Sequence, residues 1–313
     1  MKKVILAAPR GYCAGVDRAV QIVERALEAL GPPVYVRKEI VHNRHVVSEL
    51  AKQGAIFVES EDEIPPGSVC VFSAHGVSPE VRRNAEARNL QVIDATCPLV
   101  TKVHNEAKRF VRGGRKIVLV GHKGHEEIEG TSGEAPDSTK VIESVEQIGE
   151  LGLQPGEPVA YLTQTTLSVD DTLDVVEALR SRFTDIEGPR SDDICYATQN
   201  RQVAVKVLAP ESDVVLIVGA FNSSNSNRMV EVARAAGTPA YLVPDASYLE
   251  PAWLQDAETV GVSSGASAPE VLVEGLLKRL AELGYDTVEA REVTSEDVTF
   301  SLPPWLRPAA ATQ

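Results

Sequence analysis

Three of the four cysteines in this chain introduce the same local pattern, and that repetition constrains the fold more than any other feature. An apolar run from Val4 to Ala8 precedes Cys13. After it, Val16, Ala19, Val20, Val23, Ala26, Leu27 and Leu30 recur at helical spacing until Gly31 and Pro32 stop the helix. The strand QVIDAT leads to Cys97 and Pro98, followed by an apolar stripe of Val100, Val103, Ala107, Phe110 and Val111 that ends at Gly113 and Gly114. SDDICYATQNRQVAVKVLA places Cys195 before a third helix, with only a short stretch ahead of it to serve as a strand. Each of these cysteines is thus expected at a strand-to-helix turn.

Two polar loops follow each cysteine at similar distances. His42 in EIVHNRHVV lies 29 residues after Cys13, His125 in VGHKGHEEIEG 28 after Cys97, and Ser223 in VGAFNSSNSN 28 after Cys195. The next loops hold His75 in FSAHGVS, Thr165 in YLTQTTLS and Ser267 in SSGASAPE, at distances of 62, 68 and 72. This triplicated order predicts an α/β fold of three related modules with parallel sheets: 1–96, 97–194 and 195–282, with 283–313 as a C-terminal tail. Parallel α/β sheets collect ligands outside the carboxyl ends of their strands, so nine such loops can serve one centre. In the tail, VTFSL is a candidate edge strand, and PAAATQ, with no amphipathic pattern, is expected to be mobile.

Composition narrows the function. A net charge of -14 and a pI near 5.0 argue against nucleic-acid or anionic-membrane partners, which are recognised mainly through Lys and Arg. The apolar stretch before Arg10 is too short for a signal-peptide core and no later run is long enough to span a bilayer, so a cytoplasmic enzyme is expected. Four cysteines in such a chain suit metal or redox chemistry better than a disulfide framework. Cys70, inside the apolar strand SVCVFS, reads as packing. Neither GxxxxGK[ST] nor a GxGxxG after a strand occurs, which leaves nucleotide triphosphatases and standard nicotinamide-dependent dehydrogenases without support.

Three thiolates at helix starts, each favoured by the positive end of the following helix, suit a single metal centre. A [4Fe-4S] cluster held by only three of them has one iron open to substrate. Three protein ligands plus water equally describe a catalytic zinc, and composition does not separate the two. His42, His75 and His125 offer donors for phosphate oxygens, whereas His45 and His104 read as helix residues and His122 as loop-forming or supporting. FNSSNSNR, with Ser223, Ser224 and Asn225 at a helix start, suits phosphate without a lysine cluster, and Ser267 in GASAPE is similar. GHEEIEG puts Glu126, Glu127 and Glu129 beside His125, where a carboxyl near a buried anion suits proton delivery.

Taken together, PRGYCAGVDRA, VHNR, FSAHGVS, DATCPLVTKVH, GHKGHEEIEGT, TQTTLSVDDT, DDICYATQNRQ, NSSNSNR and GASAP resemble the LytB/IspH reductase family from about Pro9 to Glu270. The resemblance implies three α/β modules in pseudo-threefold arrangement around a central [4Fe-4S] iron-sulfur cluster held by Cys13, Cys97 and Cys195. It implies that His42, His75, His125, Ser223, Ser224, Asn225 and Ser267 contact the substrate, chiefly its diphosphate. Glu127 would be the proton donor and Thr165 would orient the substrate hydroxyl, acting with His125 at the reacting centre. The implied reaction converts (E)-4-hydroxy-3-methylbut-2-enyl diphosphate to isopentenyl and dimethylallyl diphosphates, the last step of the methylerythritol phosphate (non-mevalonate) isoprenoid pathway. A ferredoxin or flavodoxin is the implied electron donor, and a monomer the slightly favoured state. Two rivals stay open at this level. One is a cluster-dependent dehydratase or synthase of the quinolinate synthase kind, whose substrate carboxylates call for a different polar set. The other is an iron-sulfur sensor that binds nucleic acid, against which the acidic balance counts.

Overall fold

Runs such as KVILAA, VVLIV and TVGVSS are apolar at consecutive positions, the pattern of strands covered by helices on both faces. The computed structural model describes residues 2–307. The first part of the chain forms β1 (Lys3–Ala8), α1 (Ala14–Leu30), β2 (Val34–Arg37), α2 (Arg44–Lys52), β3 (Ala55–Val58), β4 (Val69–Phe72), α3 (Pro79–Ala87) and β5 (Gln91–Asp94). Next come α4 (Pro98–Arg112), β6 (Lys116–Val120), α5 (Glu126–Gly133), β7 (Thr139–Ile142), β8 (Val159–Thr163), α6 (Val169–Arg182) and β9 (Ile186–Glu187). The remainder is α7 (Tyr196–Leu208), β10 (Val214–Val218), α8 (Ser224–Ala235), β11 (Ala240–Val243), β12 (Thr259–Ser264), α9 (Glu270–Glu282) and β13 (Thr287–Glu292). No helix among the described residues is long and apolar enough to cross a membrane.

These strands make three parallel sheets, in the orders β11-β10-β12-β1-β13, β3-β2-β4-β5 and β7-β6-β8-β9. The chain divides into two compact units. One comprises Met1–Cys13, Thr165–Asp174 and Ile194–Asp297 and contains the five-stranded sheet. The other comprises Ala14–Gln164, Val175–Asp193 and Val298–Gln313 and contains both four-stranded sheets.

In the five-stranded sheet, side chains alternate between two cores, as the two-residue repeat of a strand requires. Val4, Leu6, Val214, Leu216, Val218, Val260 and Val262 pack against Val273, Leu276 and Leu280 of α9. Ile5, Ala7, Val215 and Ile217 point the other way, onto Ala204, Val205 and Leu208 of α7 and Met229 and Ala233 of α8. β1 pairs with β12 and with β13, so strands from both ends of the chain share this sheet. The edge position belongs to β13, with Lys3 opposite Thr287, and not to VTFSL, which has no strand structure. VTFSL alternates apolar and polar residues, but β13 already occupies the edge of the sheet beside β1. PAAATQ lies outside the described residues.

In the second unit, Val103, Ala107 and Phe110 of α4 cover Ile117, Leu119, Ala160 and Leu162 of the β6-β8 pair. Cys70 and Phe72 of β4 pack with Val77, Ala85 and Leu90.

Candidate functional site

All nine loops read from the sequence lie between the carboxyl end of a strand and the start of a helix. Cys97 and Cys195 are the N-cap residues of α4 and α7, and Cys13 directly precedes α1. The Cys195 sulfur accepts the Thr198 N–H at 3.4 Å and lies 3.2 Å from the Thr198 hydroxyl. All three are half-buried at helix starts, where aligned peptide dipoles favour a thiolate. Cys70 contrasts with them: it is fully buried and burial pushes its thiol up to about 12, so it stays a thiol.

A backbone contact repeats along with the sequence pattern. The Cys97 N–H donates to the carbonyl of Ala74, next to His75, at 2.9 Å. The Cys195 N–H donates to the carbonyl of Thr165 at 3.0 Å, and the Cys13 N–H to that of Ala266, next to Ser267, at 3.2 Å. Each cysteine loop is thereby fastened to the second polar loop of a different stretch of the chain. The offsets of 62, 68 and 72 thus mark structurally equivalent positions.

Within the second unit, loops from two sheets bring three histidines together. The rings of His42 and His75 stack with centroids 4.1 Å apart, and His125 meets them edge-on at 5.5 and 5.9 Å. Their environments separate their protonation. Burial would lower His75, but the Glu126 carboxylate, hydrogen-bonded to its Nδ1 at 3.1 Å, raises its pKa, with Glu127 and Glu39 adding to the effect. Glu126 would be raised by burial; the His75 hydrogen bond and charge, with His42 and Lys38, instead bring it to about 2.

His125 is brought down to about 4, first by burial and further by His75 and His42, against the pull of Glu127 and Glu126. Its Nδ1 accepts the Glu127 N–H at 3.2 Å as the N-cap of α5, a role open only to a ring nitrogen without a proton. His42 is lowered by burial and by His75, while its Nδ1 contact to Glu39 at 3.2 Å opposes this. The cluster therefore sets one ring held toward its charged form beside two held toward the neutral form. The His75–Glu126 pair contributes its full stability between the unfolded values of 4.5 and 6.5. That contribution fades as pH falls toward about 2 or rises through the elevated His75 value.

Glu127 is buried beside this cluster, in the first turn of α5. His104, expected as a helix residue, lies in α4 and is buried against Gly76 and Gly130, with Nδ1 bonded to Glu134 at 3.0 Å. Gly76 has φ +79, and a Cβ there would crowd Thr96, Val100 and His104, so glycine lets α4 approach the His75 loop. His122 serves its loop: its N–H and Nδ1 both contact the Gln164 side chain, at 3.0 and 3.1 Å.

In the other unit, Ser223 caps α8 and accepts from the Ser226 N–H and hydroxyl at 3.4 and 3.0 Å, while the Ser224 hydroxyl donates to the Thr166 carbonyl at 3.2 Å. Thr165, Asn225 and Ser267 are buried. The Asn225 Oδ1 is buried with no hydrogen-bond partner among the described residues, the kind of polar atom a ligand satisfies. Ser226 is wedged between Gly219 and Gly265, where a Cβ on either would strike its hydroxyl. Gly219→Ala is expected to push Ser226 away from Ser223 and cost about 1–3 kcal/mol in a denaturant titration, as overpacking does.

Two features escaped sequence reasoning. The Glu126–His75 pair joins residues 51 apart through tertiary structure, and the sequence placed Glu126 beside His125 with nothing to point to His75 as its partner. Arg201, fully buried in α7, donates to the carbonyl of Gly11 at 2.6 Å and pairs with Glu296 at 2.9 Å, anchoring the loop before Cys13.

The LytB protein family model matches residues 4–281. A Mycobacterium ulcerans protein named 4-hydroxy-3-methylbut-2-enyl diphosphate reductase is 60% identical over 309 residues, covering 98% of this chain and 93% of that one. A Mycobacterium bovis protein named 4-hydroxy-3-methylbut-2-enyl diphosphate reductase 1 is 59% identical, covering 98% and 92%. Among solved structures, the E-1-hydroxy-2-methyl-but-2-enyl-4-diphosphate reductase from Plasmodium falciparum superposes with a TM-score of 0.94 at 37% identity, covering 97% of this chain and 96% of that one. With family match, sequence identity and fold all extending over nearly the whole chain, this protein belongs to the LytB family and is, like its named relatives, a reductase enzyme.

Proposed function

We propose that this enzyme reductively removes the hydroxyl of (E)-4-hydroxy-3-methylbut-2-enyl diphosphate to give isopentenyl and dimethylallyl diphosphates, completing the non-mevalonate route to isoprenoids. The observation that carries the reading is the half-buried trio of His42, His75 and His125 with the Glu127 carboxyl in the adjoining helix turn. Cys13, Cys97 and Cys195 fit as the ligands of a [4Fe-4S] cluster, one from each module, since all three occupy thiolate-favouring helix starts and Cys70 does not. When bound, such a cluster supplies electrons and Lewis acidity toward the substrate hydroxyl.

The chain's own residues do the rest. His75 offers a charged donor and His42 and His125 neutral ones to the diphosphate oxygens, joined by Ser223, Ser224, Asn225 and Ser267. A cationic ring among neutral donors balances part of the anionic charge without the lysine cluster that a composition of -14 withholds. Glu127 gives a proton to the departing hydroxyl, which leaves as water, and the Thr165 hydroxyl orients that group. The reaction takes up two electrons and two protons. Delivery of the second proton to either end of the three-carbon allylic fragment accounts for two products. A ferredoxin or flavodoxin supplies the electrons.

The test is anaerobic incubation of the iron-loaded enzyme with the allylic diphosphate and reduced methyl viologen, followed by mass spectrometry. Both C5 diphosphates are expected, and unconsumed substrate contradicts the reading.

A further inference from the structure

A buried imidazole beside other imidazoles tends to be neutral, as His125 is here. His75 differs from it in having a carboxylate hydrogen-bonded to its ring, with the Ser73 hydroxyl 3.4 Å from the same Nδ1. Glu126 Oε2 lies 3.1 Å from His75 Nδ1 and also accepts from the Ser73 hydroxyl at 3.3 Å, so the carboxylate is fixed from two sides. Both side chains are largely buried, at 11% and 14% exposure, which shields the pair from water and salt. The stacked His42 ring limits rotation of the His75 ring.

We propose that Glu126 is a positioning residue that locks His75 as a two-proton donor, its Nδ1–H spent on the carboxylate and its Nε2–H kept for a substrate phosphate oxygen. This rests on the reading of the histidine trio as the diphosphate site and adds a residue to it. Without the carboxylate, His75 faces burial with His42 and His125 as neighbours, and only Glu127 and Glu39 to favour its charge. Lys38 acts on Glu126, not directly on the ring. Loss of Glu126 thus turns a charge-assisted donor into a neutral one, as His125, which has no such hydrogen-bonded carboxylate and is brought down to about 4, already is.

The experiment measures the Kd of inorganic diphosphate by calorimetry on anaerobically purified holoenzyme from pH 5 to 8.5, for wild type, Glu126→Gln and Glu129→Gln. The variant-to-wild-type ratio cancels the ionisation of diphosphate itself. For Glu126→Gln binding is expected to be about tenfold weaker at the acid end of this range, the difference between a charged and a neutral donor, and the ratio is expected to return toward one as pH rises through the elevated His75 value. Glu129→Gln removes the same charge from the same helix at an exposed site and is expected to give a ratio near one throughout. A Glu126→Gln ratio that is flat with pH, or a Glu129→Gln ratio that follows the same curve, overturns the role of Glu126 while leaving the diphosphate site standing. Wild-type holoenzyme that neither binds diphosphate nor turns over the allylic diphosphate overturns the functional reading and this inference together.

Discussion

Serine at position 13, 97 or 195 is expected to strip iron from the protein and abolish turnover, with the three variants behaving alike. The hydroxyl of serine has no thiolate to offer, and a cluster with three protein ligands has none to spare. The three sites share a helix start, partial burial and a backbone tie to a second polar loop, so no one of them is structurally privileged. Cys70→Ser is the internal control: the residue sits in the core of β4, and its replacement is expected to reduce stability while iron and sulfide content stay at the wild-type level. Iron and acid-labile sulfide analysis of the four anaerobically purified variants checks this. Wild-type content in any of the first three removes that residue from the ligand set.

Glu127→Gln is expected to lower kcat by about 10²–10⁴, the usual worth of a positioned proton donor, while iron content and diphosphate affinity are retained. Gln keeps the size of the side chain, and the N–H that caps against His125 belongs to the backbone, so the first turn of α5 stays in place. Steady-state kinetics with reduced methyl viologen measures the loss. A rate within a few-fold of wild type assigns the proton to another group.

Much of this organisation is legible in the sequence alone. The nine strand-to-helix loops emerged because apolar runs and helical stripes alternate regularly, and because offsets such as 29, 28 and 28 survive in the sequence. What escaped was tertiary or weakly patterned. β13, TVEARE, carries mostly exposed polar side chains at a sheet edge, so no apolar alternation announces it, whereas VTFSL alternates yet joins no sheet. β9 has only two residues, too few for a periodic signal. That β1 would sit between β12 and β13 depends on long-range pairing that local pattern does not encode. Among the site residues, the types of His42, His75 and His125 suggested phosphate binding. Their unequal protonation depends on Glu126 reaching across from the first turn of α5, which follows a strand of another sheet in the same unit.

In the proposed function Cys13, Cys97 and Cys195 hold a four-iron cluster whose remaining iron is left for substrate. The most direct test is the Mössbauer spectrum of anaerobically purified, ⁵⁷Fe-labelled protein with and without the allylic diphosphate. About a quarter of the iron is expected to be distinct from the rest and alone to shift when substrate is added. Iron sites that all remain unmoved by substrate, or a protein that purifies with zinc and no sulfide, would contradict it.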